Sequence, residues 1–267
     1  MKKTVIGILL TFCIILALCG SVFSEETAQN TESETISEVT SDTEEVSDDE
    51  IRVGKHITFG SYEQDGDTSN GAEPISWEVL VIENDRALIV SDHCLDCQPY
   101  NDEAANITWE SCTLRSWLNE EFYAEAFQES EKECIILSTQ YNNANSVFGT
   151  YCGNETEDYV FLLSLDEVME YYGISEEELH NNGVTSAHSE LIVSPTQYAV
   201  DQGVEIDEND INAEGEAGCG WWLRSLGDFS SVKRAAVIYS SGVVSFWGFG
   251  IPASKVGVRP AMWISLE

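Results

Sequence analysis

The chain has 267 residues, and its 48 Asp and Glu outnumber its 12 Lys and Arg, which gives a formal charge of −36. A surface with that field repels nucleic acids and anionic lipid heads, so binding to a phosphate backbone is excluded as the main activity. Hydrophobic residues make up 43% of the chain and seven residues are Trp, which excludes disorder throughout.

The N-terminus has the features of an export signal. Two lysines precede an apolar run over residues 5–18, which has the length of a signal-peptide core and is short for a membrane span. We predict a signal peptide over residues 1–24, cleaved after Ser24. Two alternatives stay open: lipidation of Cys19, which ends a segment similar to a bacterial lipobox, and an uncleaved anchor. All three predict a secreted or cell-surface protein that meets a membrane only through this segment or a lipid on Cys19.

An acidic segment follows the signal. Residues 25–50 contain 11 acidic residues and nine Ser or Thr, with no basic and no aromatic residue. Such a segment cannot bury enough apolar surface to offset the entropy of ordering it, so we expect a disordered acidic linker. Residues 51–267 hold 37 acidic against 10 basic residues, a formal charge of −27. They are long enough to form a single domain with its own core.

Apolar periodicity predicts the first elements of this domain. Residues 56–62 alternate between polar and apolar as a strand does. Residues 75–82 and 87–91 have the same pattern, and the short link Asn84-Asp85 between them predicts a hairpin.

The middle of the domain is predicted to contain helices and its end to contain strands. Ser164 and Glu167 have the spacing of a capping box, and Pro195 is predicted at the first position of a helix. One helix is predicted to begin at Thr113. Further helices are predicted within residues 123–127, 131–136, 165–172 and 195–202. The predicted strands are 160–163, 221–224, 236–239, 243–249 and 258–265, and a loop is predicted over 201–218. This order predicts an α+β fold with an N-terminal β-hairpin, central helices and a β-rich C-terminal end.

Seven short blocks occur in an order that resembles an uncharacterised family of secreted bacterial domains, found on Gram-positive surface proteins and lipoproteins. The blocks are Phe59–Asp65, Trp77–Leu80, Leu95–Asn101, Trp109–Leu118, Phe161–Ser164, Trp221–Ser225 and Gly257–Ala261. The last two blocks, with a hairpin and its Gly turn between them, are similar to the end of C-type-lectin-like domains, a group that includes the formylglycine-generating enzymes. The resemblance implies one C-type-lectin-like domain over residues 51–267.

The cysteines exclude the chemistry of the formylglycine-generating enzymes. That reaction needs two neighbouring cysteines in the C-terminal part, and no cysteine follows Cys219. The predicted mature chain has six cysteines, and an even number in an exported chain favours disulfides. The resemblance implies a bridge between Cys97 and Cys112, because the family tends to carry cysteines at these positions. A zinc site that uses Cys94, Cys97 and His93 stays open, as do free thiols.

No cofactor and no metal are expected. Asp65, Asp67 and Ser69 begin like a calcium-binding EF-hand loop, but Asn70 occupies the position that requires Gly. We therefore expect these residues to form a turn. A calcium site within residues 201–230 stays open as an alternative.

Aromatic residues and arginines near the C-terminus are the candidate ligand-binding residues. Core packing explains much of this block, because burying one Trp contributes roughly 4–6 kcal/mol. The tip at residues 246–249 differs, because it carries aromatic residues on both faces, and an exposed aromatic patch suits stacking on sugars or contact with a protein. The candidates are Trp222, Arg224, Phe246, Trp247, Phe249 and Arg259.

The sequence contains no signal for catalysis. Its four histidines fall in no nucleophile motif, and it has no Gly-rich phosphate loop. We expect a non-catalytic extracellular or cell-surface binding module whose ligand is a glycan or another protein. One alternative is a secreted hydrolase that uses two carboxylates, which requires a cleft with facing acids. The other is a purely structural surface domain, which requires that the 246–249 tip carries no exposed aromatic patch.

Overall fold

The computed structural model describes residues 50–180, 183–230 and 233–267. The predicted signal peptide, its lipidation candidate Cys19 and all but the last residue of the predicted acidic linker lie outside the described residues. Within the described residues, every helix is too short or too polar to span a bilayer.

Short strands are the predominant regular elements of the described chain. They are β1 His56–Tyr62, β2 Glu73–Glu83, β3 Arg86–Ser91, β4 Asp96–Cys97, β5 Ile135–Ile136, β6 Ser138–Gln140, β7 Thr156–Asp158, β8 Val184–Ala187, β9 Ile206–Ile211, β10 Ala217–Cys219, β11 Trp221–Leu226, β12 Arg234–Ile238, β13 Val243–Gly250, β14 Gly257–Val258 and β15 Ala261–Ser265.

A few short helices lie between the strands. They are α1 Thr113–Trp117, which continues through a π-helical turn Leu118–Phe122 into α2 Tyr123–Ala126, then α3 Glu129–Lys132, α4 Leu165–Tyr171 and α5 Gln197–Gln202, with 3₁₀ turns at Trp109–Ser111, Glu176–Glu178 and Ser189–Leu191. The fold is therefore mixed α and β, with short helices and curled, mainly antiparallel sheets.

The N-terminal hairpin and the last strand form one sheet. Its order is β1-β2-β3-β15-β5, which confirms the hairpin predicted at Asn84-Asp85. The predicted helix over 131–136 is wrong at its end, because α3 stops at Lys132 and Ile135–Ile136 pair with Trp263 and Ile264 of β15. A β-branched pair beside an open strand edge satisfies its backbone groups better in the sheet than in a frayed helix end.

The second large sheet carries the predicted C-terminal strands. Its order is β4-β14-β11-β12-β13-β8, and every residue of β11 is buried. The predicted strand 258–265 is interrupted at Arg259-Pro260, so that β14 belongs to this sheet and β15 to the first. Pro has no N–H to donate to a strand ladder, which explains the break at this position.

Three local predictions need correction. The predicted loop 201–218 contains the antiparallel pair β9 and β10. The helix predicted from Pro195 begins two residues later, because the hydroxyl of Thr196 accepts the Ala199 N–H at 3.1 Å and caps it. The predicted strand 160–163 is buried, but within it only Phe161 pairs with a strand, at Ala261.

The predicted capping box at the start of α4 is confirmed and extended. The Ser164 hydroxyl accepts the Glu167 N–H at 3.1 Å, and a Glu167 carboxylate oxygen accepts the Ser164 N–H at 2.8 Å. The guanidinium of Arg224 in β11, 2% exposed, binds both oxygens of the same carboxylate and donates to the carbonyl of Leu162 at 2.8 Å. One carboxylate thus joins the start of α4 to the central sheet, and Arg224 belongs to the core.

Replacing Arg224 is expected to destabilise the fold strongly. Arg224→Met should lower the free energy of unfolding by about 3–5 kcal/mol, because Glu167 would keep a largely buried charge without its partner. The matched control is Lys255→Met, which removes the exposed pair with Glu205 and should cost less than about 1 kcal/mol. Urea unfolding followed by Trp fluorescence measures both, and equal losses would contradict the role given to Arg224.

Candidate functional site

The structure places three of the six candidate ligand-binding residues in the core. Trp222 and Phe246 are buried, as is Arg224. The Trp222 indole donates from Nε1 to the carbonyl of Gln98 at 3.0 Å, and its ring meets Tyr100 edge to face at 5.8 Å. These contacts satisfy its only donor, and the side chain is fully buried, so Trp222 packs in the core.

Trp247 and Phe249 reach two different surfaces. Gly248 between them has a φ of +81°, and a Cβ at this position would lie 2.2 Å from the carbonyl oxygen of Ala235. Only glycine accepts this conformation at such a close approach, and the pairing of β12 with β13 shifts register here. Phe249 is half-buried in a pocket of about 220 Å³, where the Lys255 ammonium lies 5.4 Å from its ring.

Trp247 is the centre of an exposed surface that we call the Trp247 patch, formed by Val147, Phe148, Arg234 and Trp247. Trp247 is 39% exposed and Val147 is 41% exposed. The Phe148 ring meets the indole edge to face, with centroids 5.5 Å apart. The Arg234 guanidinium lies 4.5 Å from the indole centroid, within the range of a cation–π contact. The indole is therefore held in place by its neighbours while part of it faces solvent.

One buried amide orients the loop that carries half of this patch. The Asn145 side chain donates to the carbonyls of Leu226 and Phe246, both at 2.9 Å. Its carbonyl oxygen accepts the N–H groups of Val147 at 3.0 Å and Phe148 at 3.2 Å. A single amide thus fixes the turn to the sheet and sets Phe148 against Trp247. Nothing in the local sequence predicts this role, since the partners are about 80 and 100 residues away.

Arg259 lies below a cleft of about 350 Å³, which we call the Arg259 cleft. The residue is 3% exposed, and its Nε donates to the carbonyl of Ser91 at 2.8 Å. Its guanidinium lies 5.0 Å from the Trp221 ring centroid and 3.9 Å from a Glu78 carboxylate oxygen. Burial acts to lower the pKa of Arg259, but Tyr172 and Glu78 together raise it above its usual value, so the cation is retained.

Two histidines of the cleft have hydrogen-bond partners that the sequence did not predict. His56 Nδ1 lies 2.9 Å from both oxygens of Asp92. His93 Nδ1 lies 2.9 Å from the Ser194 hydroxyl, which donates to Glu216 at 2.6 Å. These partners are up to 123 residues apart in the sequence, so no short motif could reveal them.

Ser194 is arranged for hydrogen bonding rather than for nucleophilic attack. In a nucleophilic triad the histidine lies between the serine and the acid, whereas here Ser194 lies between His93 and Glu216. The hydrogen bond from Ser194 is the largest cause of a lowered pKa of Glu216. Glu216 therefore stays ionised, and a glycosidase's general acid requires the opposite shift.

A carboxylate cluster lies in the predicted turn after β1. Oxygens of Glu63, Asp65 and Glu73 come within 4.8 Å of one another, the spacing that a cation site would need. The same oxygens already accept backbone N–H groups, for example Glu73 from Gln64 at 2.8 Å and Glu63 from Gly66 at 2.8 Å. The cluster is explained by the turn that it stabilises, as the sequence predicted for Asp65.

A comparison with known domain families assigns the chain to one of them. Residues 84–266, about two thirds of the chain, match a domain of unknown function, DUF6273. The chain belongs to the DUF6273 family. Strands β1 and β2 precede the matched residues, whereas Arg259 and the whole Trp247 patch lie within them. The chain matches no curated protein and no solved structure.

All six cysteines in the described part of the DUF6273 domain carry free thiols, so the predicted bridge between Cys97 and Cys112 is not formed in the structure. The Cys112 sulfur lies 3.4 Å from the carbonyl oxygen of Trp109. Burial is the largest cause that raises the pKa of Cys97 to about 11 and that of Cys112 to about 12. Both are protonated at neutral pH, which makes them weak nucleophiles and poor metal ligands. Among the described residues, the zinc alternative with Cys94 and His93 has no gathered ligand set.

Replacing Asn145 is expected to disturb the Trp247 patch. Asn145→Ala should lower the free energy of unfolding by about 1–3 kcal/mol, because the buried carbonyls of Leu226 and Phe246 would lose their donor. It should also increase acrylamide quenching of Trp fluorescence as Phe148 leaves the indole. Asn143→Ala, which removes an exposed contact with Asp166, is the control and should change neither quantity. Identical behaviour of the two variants would contradict the role of Asn145.

The thiols are expected to differ in reactivity. Cys134 is the half-buried one, and the other five are buried, so iodoacetamide at neutral pH should modify Cys134 first. Cys97 and Cys112 should react only after unfolding, because burial keeps their thiols protonated and covered. Peptide mass spectrometry of the labelled protein measures the order. If the unreduced protein is lighter by two hydrogens and yields Cys97 and Cys112 in one linked peptide, the predicted bridge is present.

Proposed function

We propose that this domain is a non-catalytic extracellular or cell-surface binding module that binds a glycan through the Trp247 patch. The observation that carries the proposal is the exposed indole of Trp247, which Phe148 and Arg234 hold in a fixed orientation. A pre-oriented ring loses little entropy on binding and offers a face to the C–H groups of a sugar. An exposed patch at this position also speaks against the purely structural alternative.

The size of the patch favours a sugar over a protein partner. A standard protein interface covers about 800 Å² on each partner with 20–30 residues. The Trp247 patch has three apolar side chains and one arginine, far fewer residues than such an interface uses. A surface protein as ligand is the alternative that the experiment below distinguishes.

The proposed C-type-lectin-like fold has support in the second sheet. The blocks behind that resemblance are the Trp221–Ser225 segment, the hairpin with Gly242 in its turn and the closing Gly257–Ala261 segment. The first of these lies in β11, beside β14 from the last and β12 of the hairpin. The three blocks are therefore neighbours in the fold, as we expect if the resemblance reflects one folded unit.

Export of the domain rests on the sequence alone. The two lysines and the apolar run at residues 5–18 support secretion, with lipid attachment at Cys19 as the alternative to a free mature chain. The formal charge of −27 on residues 51–267 opposes binding to nucleic acid and to anionic polymers. The proposed ligand is for this reason a neutral glycan.

A non-catalytic role is supported by the chemistry of the Arg259 cleft. A carboxylate-dependent hydrolase needs one protonated acid beside one ionised acid. Glu216 remains ionised through its bond from Ser194, and Asp92 accepts bonds from His56 and Ser76. Hydrolysis of a bound glycan would favour the hydrolase alternative instead.

Removing the indole is expected to weaken glycan binding strongly. A printed glycan array should identify neutral glycans that bind the secreted protein, and titration calorimetry should show at least a tenfold weaker affinity for Trp247→Ala, roughly 1.4 kcal/mol. The matched control is Tyr141→Ala, which removes an aromatic side chain that is 65% exposed and lies outside the patch.

Three outcomes would overturn parts of the proposal. Equal affinity of Trp247→Ala and wild type would remove the patch as the binding site. A blank array together with Trp247-dependent binding of a purified surface protein would replace the glycan by a protein ligand. Release of sugar fragments during the titration would establish an enzyme.

A further inference from the structure

The Arg259 cleft combines one buried cation with acidic walls. The charged side chains that line it, besides two histidines, are Arg259, Glu78, Asp92, Glu190, Glu214 and Glu216. With the histidines neutral, the lining has a formal charge of −4, because five carboxylates oppose one guanidinium. Exposed carboxylates are common on a chain this acidic. A buried guanidinium beneath them is unusual, and the acidity of the surface does not explain it.

The hydrogen bonds of Arg259 leave part of its guanidinium unused. Its Nε donates to the carbonyl of Ser91 at 2.8 Å, and its Nη1 lies 3.4 Å from the hydroxyl of Tyr172. Its Nη2 makes no hydrogen bond to the described residues, and its ion-pair partner, Glu78, is 3.9 Å away. An arginine has five N–H donors in a planar fork that matches a carboxylate. Arg224, by contrast, donates from Nη1 and Nη2 to the two carboxylate oxygens of Glu167.

The acidic wall is held in place by its own neighbours. Asp92 accepts from Ser76 and lies 2.9 Å from His56 Nδ1. Glu216 accepts from Ser194 at 2.6 Å and from Asn212 at 3.3 Å. Each carboxylate has about four lone-pair positions, so both retain acceptor capacity toward the cleft.

We propose that the Arg259 cleft binds a small zwitterion, whose carboxylate pairs with Arg259 and whose ammonium group pairs with the carboxylates of the wall. A simple anion would be repelled by the net charge of the lining, and a simple cation would face the guanidinium of Arg259. A ligand with both charges satisfies the whole set. A volume of about 350 Å³ accommodates a free amino acid or a dipeptide, which share this chemistry.

A metal ion fits this cleft less well. The group of described residues whose ligand atoms come close enough for an ion is Glu63, Asp65 and Glu73, and none of these lines the cleft. The cleft also shares no residue with the Trp247 patch, so the zwitterion site is a second ligand site that does not depend on glycan binding.

The test is titration calorimetry with matched compounds. L-Alanine and Ala-Ala should bind saturably to the full-length secreted protein, whereas N-acetylalanine and alaninamide, each lacking one charge, should bind at least tenfold more weakly. The two zwitterions distinguish a free amino acid from a peptide. If both fail, the other standard amino acids extend the same series.

Two variants on one strand separate a binding role from a structural one. Glu78→Gln should weaken binding of the zwitterion at least fivefold, because one partner of its ammonium group is lost. It should also reduce the preference for the zwitterion over N-acetylalanine, because a charge that repels this anion is lost. Glu83→Gln, which removes only the exposed partner of Arg86, should change neither affinity. Arg259→Lys should lose the zwitterion while Trp247→Ala keeps it.

Clear results would overturn the proposal. One is the absence of saturable binding by any standard amino acid or dipeptide at 10 mM, a concentration about 4 orders of magnitude above the Kd of a typical micromolar site. The others are equal binding of N-acetylalanine and the zwitterion, and equal effects of Glu78→Gln and Glu83→Gln. If Arg259→Lys fails to fold, the Glu78 and Glu83 pair still decides the question.

Discussion

The bond between Arg224 and Glu167 is the interaction on which the arrangement of this domain depends. Arg224 lies in the middle of β11, and Glu167 closes the capping box at the start of α4. A buried guanidinium is tolerated only when its donors are taken up, and here the carboxylate and two carbonyls take up most of them. The pair thus fixes where the helical segment meets the sheet, and it removes Arg224 from the set of surface residues.

The two arginines of the C-terminal blocks illustrate how partner geometry separates structure from binding. Arg224 is bound on both oxygens of a carboxylate at bonding distance, whereas Arg259 has its nearest carboxylate at 3.9 Å and lies below a cleft. Both are almost fully buried, and both are among the 12 basic residues of an acidic chain. Burial is common to both arginines. The Nη2 of Arg259, which lies beside the cleft without a hydrogen bond to any described residue, marks this arginine as one that recognises a ligand.

Local sequence pattern predicted the elements that depend on neighbours a few residues away. Alternation identified β1, β2 and β3 with their tight turn, and the Ser164 and Glu167 spacing identified the capping box. The errors lie where a distant strand decides. Ile135–Ile136 became a strand because β15 offers an edge, and Pro195 stays outside α5 because it pairs with Cys94 instead.

For the candidate sites, the sequence by itself determined the residue types, the excess of acid and the aromatic tip at 246–249. It also placed Gly248 between two aromatic residues, whereas the positive φ that requires glycine there was visible only in the structure. Only the tertiary structure decided that Trp222 is core while Trp247 is exposed, because exposure depends on Tyr100 and Phe148 from distant loops. The tertiary structure alone also assembled the Arg259 cleft, because His56, Asp92 and Glu216 come from three separate segments. Periodicity can be recognised in a short stretch of sequence, whereas packing between distant segments cannot.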